Sequence, residues 1–181
     1  MLLTLPYQSI DTSKFTIRPF VLDKKGRNVS HMTYQEGGSE IHDLAILLPP
    51  FPFIKYDAVA NRLQLDTSKE RLFESKWTAI QTKIIDTLYM NSNSIFSRNY
   101  TLEEIQMMLH SLFQNHCLTV YVFPTAAVHS ASGTTCPITE VTPGTPIRCI
   151  LRLHGLMMLD YRGTSSVRIQ HSLPFISKCD T

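Results

Sequence analysis

Pro146-Ile-Arg-Cys-Ile-Leu-Arg-Leu-His154, then Gly155-Leu-Met-Met-Leu159, a polar link Asp160-Tyr-Arg-Gly-Thr164, and Ser166-Val-Arg-Ile-Gln-His171 decide the fold. Side chains alternate across a strand, so Ile147, Cys149, Leu151 and Leu153 share one face while Arg148, Ile150, Arg152 and His154 share the other. Val167 and Ile169 alternate with Arg168 and Gln170 in the same way. The pattern predicts a hairpin with an apolar core face and a cationic, partly apolar outer face. Several arginines on one sheet face suit a phosphate backbone. Arginines on the solvent side of a hairpin also serve simply for solubility.

Outward from the hairpin, the N-terminal part reads as further strands. Phe15-Thr-Ile-Arg-Pro-Phe-Val-Leu22 alternates, with Pro19 implying an edge or a bulge. Asp23-Lys-Lys-Gly-Arg-Asn28 is a basic turn in which Gly26 supplies a positive φ. Val29 to Tyr34 returns as a strand, Leu44 to Leu48 is a buried one, and Arg62-Leu-Gln-Leu-Asp66 is short and alternating. Between them Pro49-Pro-Phe-Pro-Phe-Ile-Lys-Tyr56 is extended, because its prolines exclude helix.

From Ser68 to about Tyr89 the texture changes. Leu72, Phe73, Trp77, Ile80, Ile84, Ile85 and Leu88 recur at three- and four-residue steps, the period of an amphipathic helix, with Ser68 or Thr67 as its cap. Trp77 belongs to the apolar stripe and reads as core. Thr101-Leu-Glu-Glu104 fits a capping box, and Leu102, Ile105, Leu109, Leu112 and Phe113 continue a second helical stripe. Strand character resumes at Leu118 to Phe123, and Pro124 to Gly144 reads as a long flexible loop. The expectation is one α+β domain over residues 1–181. Its centre is a small OB-type β-barrel, with a helical insertion at 68–114 between strands and a loop at 124–144.

The 181 residues are enough for a sizeable core, and the formal charge of +2 is too small to name a partner. Its distribution says more. Residues 1–35 carry net +3, residues 36–104 net −3, residues 105–139 no charged side chain, and residues 140–181 net +2. A positive groove therefore needs the two ends of the chain to lie together. The cysteines Cys117, Cys136, Cys149 and Cys179 show no CxxC spacing, and the seven histidines show no ligand spacing, so no metal is expected. No apolar run approaches the roughly 18 residues of a membrane span, and Met1 to Pro6 does not resemble a signal peptide. A reduced, intracellular protein without cofactor is expected.

Catalytic signals are weak. No phosphate-cradling glycine loop is present, and Ser130-Ala-Ser-Gly-Thr134 lacks the strand–turn–helix setting of a nucleophile elbow. His154 and His171 fall at the ends of neighbouring strands and read as a structural pair. Binding signals are better. Phe51, Phe53 and Tyr56 lie beside Lys55 in an extended run; aromatic faces stack on unpaired bases while cations follow the backbone. Phe51 and Phe53 read equally well as core, and Tyr56 is the more exposed by sequence.

Three places resemble the OB-fold single-stranded DNA-binding proteins of large DNA viruses, related to the phage replication type. These are Pro50-Phe-Pro-Phe-Ile-Lys-Tyr-Asp57 with Arg62 to Asp66, the helix carrying Trp77, Ile84 and Leu88, and Gly144 to Gly155 with Val167 to Gln170. Met157-Met158 stands where that family tends to carry an aromatic. The resemblance implies non-catalytic, sequence-independent binding of single-stranded DNA in viral genome replication or repair, inside an infected host cell. Replication proteins and a second copy of the chain are further candidate partners. The expected contacts are Arg148, Arg152 and Arg168 to phosphates, helped by Lys24, Lys25 and Arg27, with Tyr56 and Phe53 stacking and Lys55 and His154 also at the nucleic acid. The alternative is a virion or assembly interaction module on the same barrel, contacting partners through the uncharged 105–139 segment and Met107, Met108, Met157 and Met158. A hydrolase using the Ser/Thr-rich loop with His154 or His171 is a third.

Overall fold

The computed structural model describes residues 3–179. An N-terminal arm holds β1 (Thr4–Pro6), β2 (Phe15–Ile17), β3 (Val21–Leu22) and the nine-residue β4 (Asn28–Glu36). Next come β5 (Ser39–His42), β6 (Ala45–Leu47), β7 (Phe51–Asp57) and β8 (Arg62–Asp66). Three helices follow: α1 (Arg71–Met90), α2 (Ser92–Phe96) and α3 (Leu102–Met108). Five short strands succeed them: β9 (Leu109–His110), β10 (Phe113–Gln114), β11 (Cys117–Tyr121), β12 (Ala127–His129) and β13 (Thr135–Pro137). The closing pair is β14 (Pro146–Tyr161) and β15 (Thr164–Lys178).

The expected hairpin is present and longer than its sequence pattern. β14 pairs with β15 antiparallel from Ile147↔Lys178 to Tyr161↔Thr164, with irregularities between Ile150 and Arg152 and between Leu153 and Gly155. Each bulge inserts a residue and re-aims the alternation. That is why Leu153 and Leu156 are both buried although one is odd-numbered and the other even.

The OB-type barrel is not formed. The strands make one open mixed sheet whose main path runs β10-β11-β8-β7-β14-β15-β12-β13. The chain is mostly β, with the helices a minor part, rather than α+β around a closed barrel. The physical reason lies in β14. It pairs along its length with β7, β6 and β4 in turn, each over two or three residues, while β15 lines its other edge. One bent 16-residue strand thus acts as a spine for short strands, and the two ends of the path, β10 and β13, stay apart. The two ends of the chain do lie together, because β4 pairs with β14 at Gly155↔His31 and Met157↔Val29. Gly155 is required there: a Cβ on it would sit 1.9 Å from the Ser30 carbonyl oxygen.

Helix α1 buries Phe73, Trp77, Ile80, Ile84 and Leu88, the stripe its periodicity predicts. Phe73 meets Tyr7, Phe51 and Trp77 at ring-centroid distances of 6.1, 4.9 and 6.0 Å, so the helix is held against the sheet by an aromatic cluster. The helix begins at Arg71, not at a Ser68 or Thr67 cap. Asp66 Oδ1 accepts from the Ser68 N–H, and the Thr67 hydroxyl donates to Glu74, so both cap residues are used in the turn before it. The Thr101–Glu104 capping box is present, but α3 stops at Met108. Residues beyond it in the expected helical insertion are extended, because Leu109 and His110 are drawn into pairing with β15. The segment 124–144 is likewise structured: β12 and β13 form a hairpin anchored by buried Val128, Ile138 and Val141.

Candidate functional site

Cross-strand partners share a face of a sheet. On the outer face of β7, β8 and β11, Lys55, Gln64 and Thr119 form one row, and Asp57, Arg62 and Tyr121 form the next. Leu63, Leu65, Leu118 and Val120 alternate with them and are buried, which fixes the polar set outward. Beside these rows β15 pairs with β9, placing His110 next to Arg168.

Arg62, His110, Ser111, Thr119, Arg168 and His171 line a cleft of about 130 Å³ between these strands. Pockets for drug-sized ligands run to roughly 300–1,000 Å³, so this one suits a small group such as a tetrahedral anion. Its electrostatics are one-sided. Among the described residues no carboxylate pairs with Arg62 or Arg168. Asp57, the cross-strand partner of Arg62, accepts the Val59 and Ala60 N–H groups on Oδ1 and forms no ion pair with Arg62.

Burial, with Arg168 and Arg62 adding repulsion, holds the His110 imidazole below its ordinary value. Burial, again with Arg62, does the same to His171. His171 donates from Nδ1 to the Ile169 carbonyl at 2.8 Å, so its Nε2 is free to accept the Tyr121 N–H, also at 2.8 Å. It is a neutral peg between β11 and β15.

An aromatic pair adjoins Arg62 at the end of β11. Tyr121 and Phe123 meet edge to face with centroids 5.1 Å apart, and the Arg62 guanidinium lies 5.3 Å from the Tyr121 centroid. Phe123 is 65% exposed, so its ring is open to solvent beside Tyr121.

The residues expected from sequence scatter. Arg168 lies on the cleft and Lys55 on its face, both exposed. Arg148 is exposed at the far end of the hairpin. Lys24 and Lys25 are exposed on the β3–β4 turn, whose Gly26 has the expected positive φ of 73°. Arg27 is tied to Asp23, with Nε 2.8 Å from Oδ2.

Four expectations need correction. Phe53 is 4% exposed, so its ring fills the core and cannot stack. Tyr56 is half-buried against that core, its hydroxyl within 3.1 Å of Asn61 Oδ1 and 3.0 Å of the Val122 carbonyl oxygen. Arg152 is half-buried, its Nε enclosed without a hydrogen-bond partner. His154 is engaged on both nitrogens, Nδ1 with Asp43 Oδ1 at 2.6 Å and Nε2 with Ser172 Oγ at 2.9 Å. The methionines of the interaction-module alternative divide as well: Met107 is exposed, Met108 buried, and Met157 and Met158 half-buried.

Asp43, His154 and Ser172 are connected in the order of an acyl-transfer triad. Ser172, however, lies within β15, directly across from Arg152, and not on the sharp turn that presents a nucleophilic oxygen. The three groups clasp the β5–β6 turn to the two long strands.

Sequence reading misses Arg62, His110, Tyr121 and Phe123 as site residues, and takes His171 for a structural partner of His154 or a hydrolase residue. Arg62 and Tyr121 alternate with buried residues in their strands and were legible as outward-facing, but only the β8–β11 register brings them together.

Among the described residues no group of His, Cys, Asp and Glu is placed to hold a metal ion, and no helix is long and apolar enough to cross a membrane. The cysteines described are free thiols. Comparison of the chain with protein-family models, curated proteins and solved structures finds no match in any of the three.

Proposed function

We propose that this chain binds single-stranded nucleic acid without catalysis, seating a backbone phosphate in the Arg62–Arg168 cleft and a base on Phe123. One observation carries the proposal: two arginines without carboxylate partners among the described residues line a small cleft with two imidazoles, and Arg62 also lies against Tyr121, which packs on the exposed Phe123. Unpaired cations near a surface attract phosphates, and a ring face accepts any base, so the arrangement favours binding without sequence preference. A single strand fits better than a duplex, because in a duplex the base faces are stacked away from Phe123.

The closed barrel implied by the resemblance to viral single-strand binders is not what the chain forms. The proposal therefore rests on the cleft, and the setting in viral genome replication or repair rests on the resemblance alone. Fluorescence titration of labelled oligo-dT, against a duplex of equal length, tests it. The expected result is tighter binding of the single strand, weakened by Phe123→Ala. Each stacked base contributes about 1–3 kcal/mol, so the loss expected is at least about fivefold. Equal or absent binding of both nucleic acids contradicts it.

A further inference from the structure

The outer face of the closing hairpin holds a second aromatic feature that the cleft does not use. Ser177 of β15 pairs with Arg148 of β14 on one side and with His129 of β12 on the other, so Arg148, Ser177 and His129 form one row across three strands. Phe175, two residues before Ser177, lies on the same face, since Ile176 between them is buried at 1% exposure. The Phe175 and His129 rings stack, with centroids 5.1 Å apart and planes 14° from parallel. Phe175 is 39% exposed, and Arg148 is exposed with no carboxylate paired to it among the described residues.

We propose that His129, Phe175 and Arg148 form a second subsite for the same single strand, where a base extends the ring stack and Arg148 holds the adjacent phosphate. The proposal rests on the single-strand reading of the cleft and gives that reading a length and a direction. Arg168 and Ser177 are nine positions apart on β15. At the strand rise that separates the two subsites by about 30 Å, less the shortening at the bulge. The span falls within the roughly 4–16 nucleotides that single-strand-binding folds cover.

His129 also gives a reason for the β12–β13 hairpin, which folds a serine- and threonine-rich segment back so that its first strand meets the end of β15. The single-strand occupant is favoured over a protein partner by charge. Arg148 is cationic, and Arg62 and Arg168 give the cleft at the other end of the same strand the same sign.

Two sites on one strand act through effective concentration, so an oligonucleotide long enough for both binds far better than one that reaches a single site. The test is the ratio of affinities for dT16 and dT4, measured for the parent, Phe175→Ala, Phe175→Leu and Arg62→Ala with Arg168→Ala. Phe175→Leu keeps apolar bulk but removes the flat ring, which separates stacking from folding. Both Phe175 variants are expected to weaken dT16 by about fivefold or more while leaving dT4 nearly unchanged, so the ratio collapses. The arginine pair is expected to weaken both lengths. A thiothymidine-substituted dT16 is expected to crosslink to the peptide containing Phe175.

If the arginine pair weakens binding but both Phe175 variants bind dT16 as the parent does, with no crosslink there, the second subsite is overturned and the cleft stands. If the crosslink at Phe175 persists while the arginine variant binds normally, the cleft fails and the subsite stands. A parent chain that binds neither oligonucleotide overturns both.

Discussion

At the scale of single residues, histidines separate structure from function here. His171 is a neutral acceptor for the Tyr121 N–H, and burial keeps its folded-state value below the unfolded one. The unfolded chain therefore takes up a proton more readily, and stability rises with pH. The contribution is fully present above about pH 6.5, the unfolded value, and is lost as pH falls below it, because the second proton would occupy the nitrogen that accepts from Tyr121. Denaturant titrations from pH 7.5 to 5 are expected to show a falling midpoint for the parent and a flatter profile for His171→Gln. Equal slopes would remove His171 from the explanation. His154 links Asp43 to Ser172, and on the non-catalytic reading proposed above Ser172 is expected to stay unmodified by a fluorophosphonate. Labelling at Ser172 that disappears in His154→Ala would make the Asp43–His154–Ser172 chain a catalytic one. The sequence showed where both histidines lie in the hairpin, but not that each has its nitrogens occupied, since Asp43 is 111 positions from His154 and Tyr121 50 from His171.

At the scale of elements, periodicity was legible and pairing was not. The α1 stripe, the Thr101–Glu104 capping box, the Gly26 turn and the closing hairpin all follow from local patterns that a few residues specify. Local pattern failed where a partner decides. Leu109 to Phe113 keeps a helical spacing, yet Leu109 pairs with Val167 and the helix ends. The 124–144 segment looks like a loop, yet Val128 and Ile138 bury themselves and bring His129 to β15. Gly155 shows the same dependence: nothing in the neighbouring sequence demands glycine, but the backbone there takes φ 157° and β4 crosses against it. Gly155→Ala is expected to cost about 1–3 kcal/mol or more by overpacking against the Ser30 carbonyl, read as a drop in the urea midpoint. A variant as stable as the parent would mean that β4 does not approach β14 as described.

At the scale of the whole molecule, an open sheet changes where a ligand can bind. A barrel would have gathered the basic turn and the hairpin arginines into one groove. The spine formed by β14 and β15 instead spreads Arg148 and Arg168 along its length and recruits Arg62 from β8 and His110 from β9. The cationic hairpin face was legible from alternation, and Arg168 with it. Arg62 was not, because it lies in the segment of net negative charge and becomes part of a basic cleft only through the β8–β11–β15 arrangement.

The central claim is that Arg62 and Arg168 meet phosphate. Binding of oligo-dT measured across a salt series, for the parent and for Arg62→Ala with Arg168→Ala, tests it directly. Each lost phosphate contact removes about 0.7 from the slope of log affinity against log salt. The double variant is therefore expected to fold normally, bind more weakly at low salt, and lose up to about 1.4 from the slope. A folded double variant with the affinity and slope of the parent would contradict the claim.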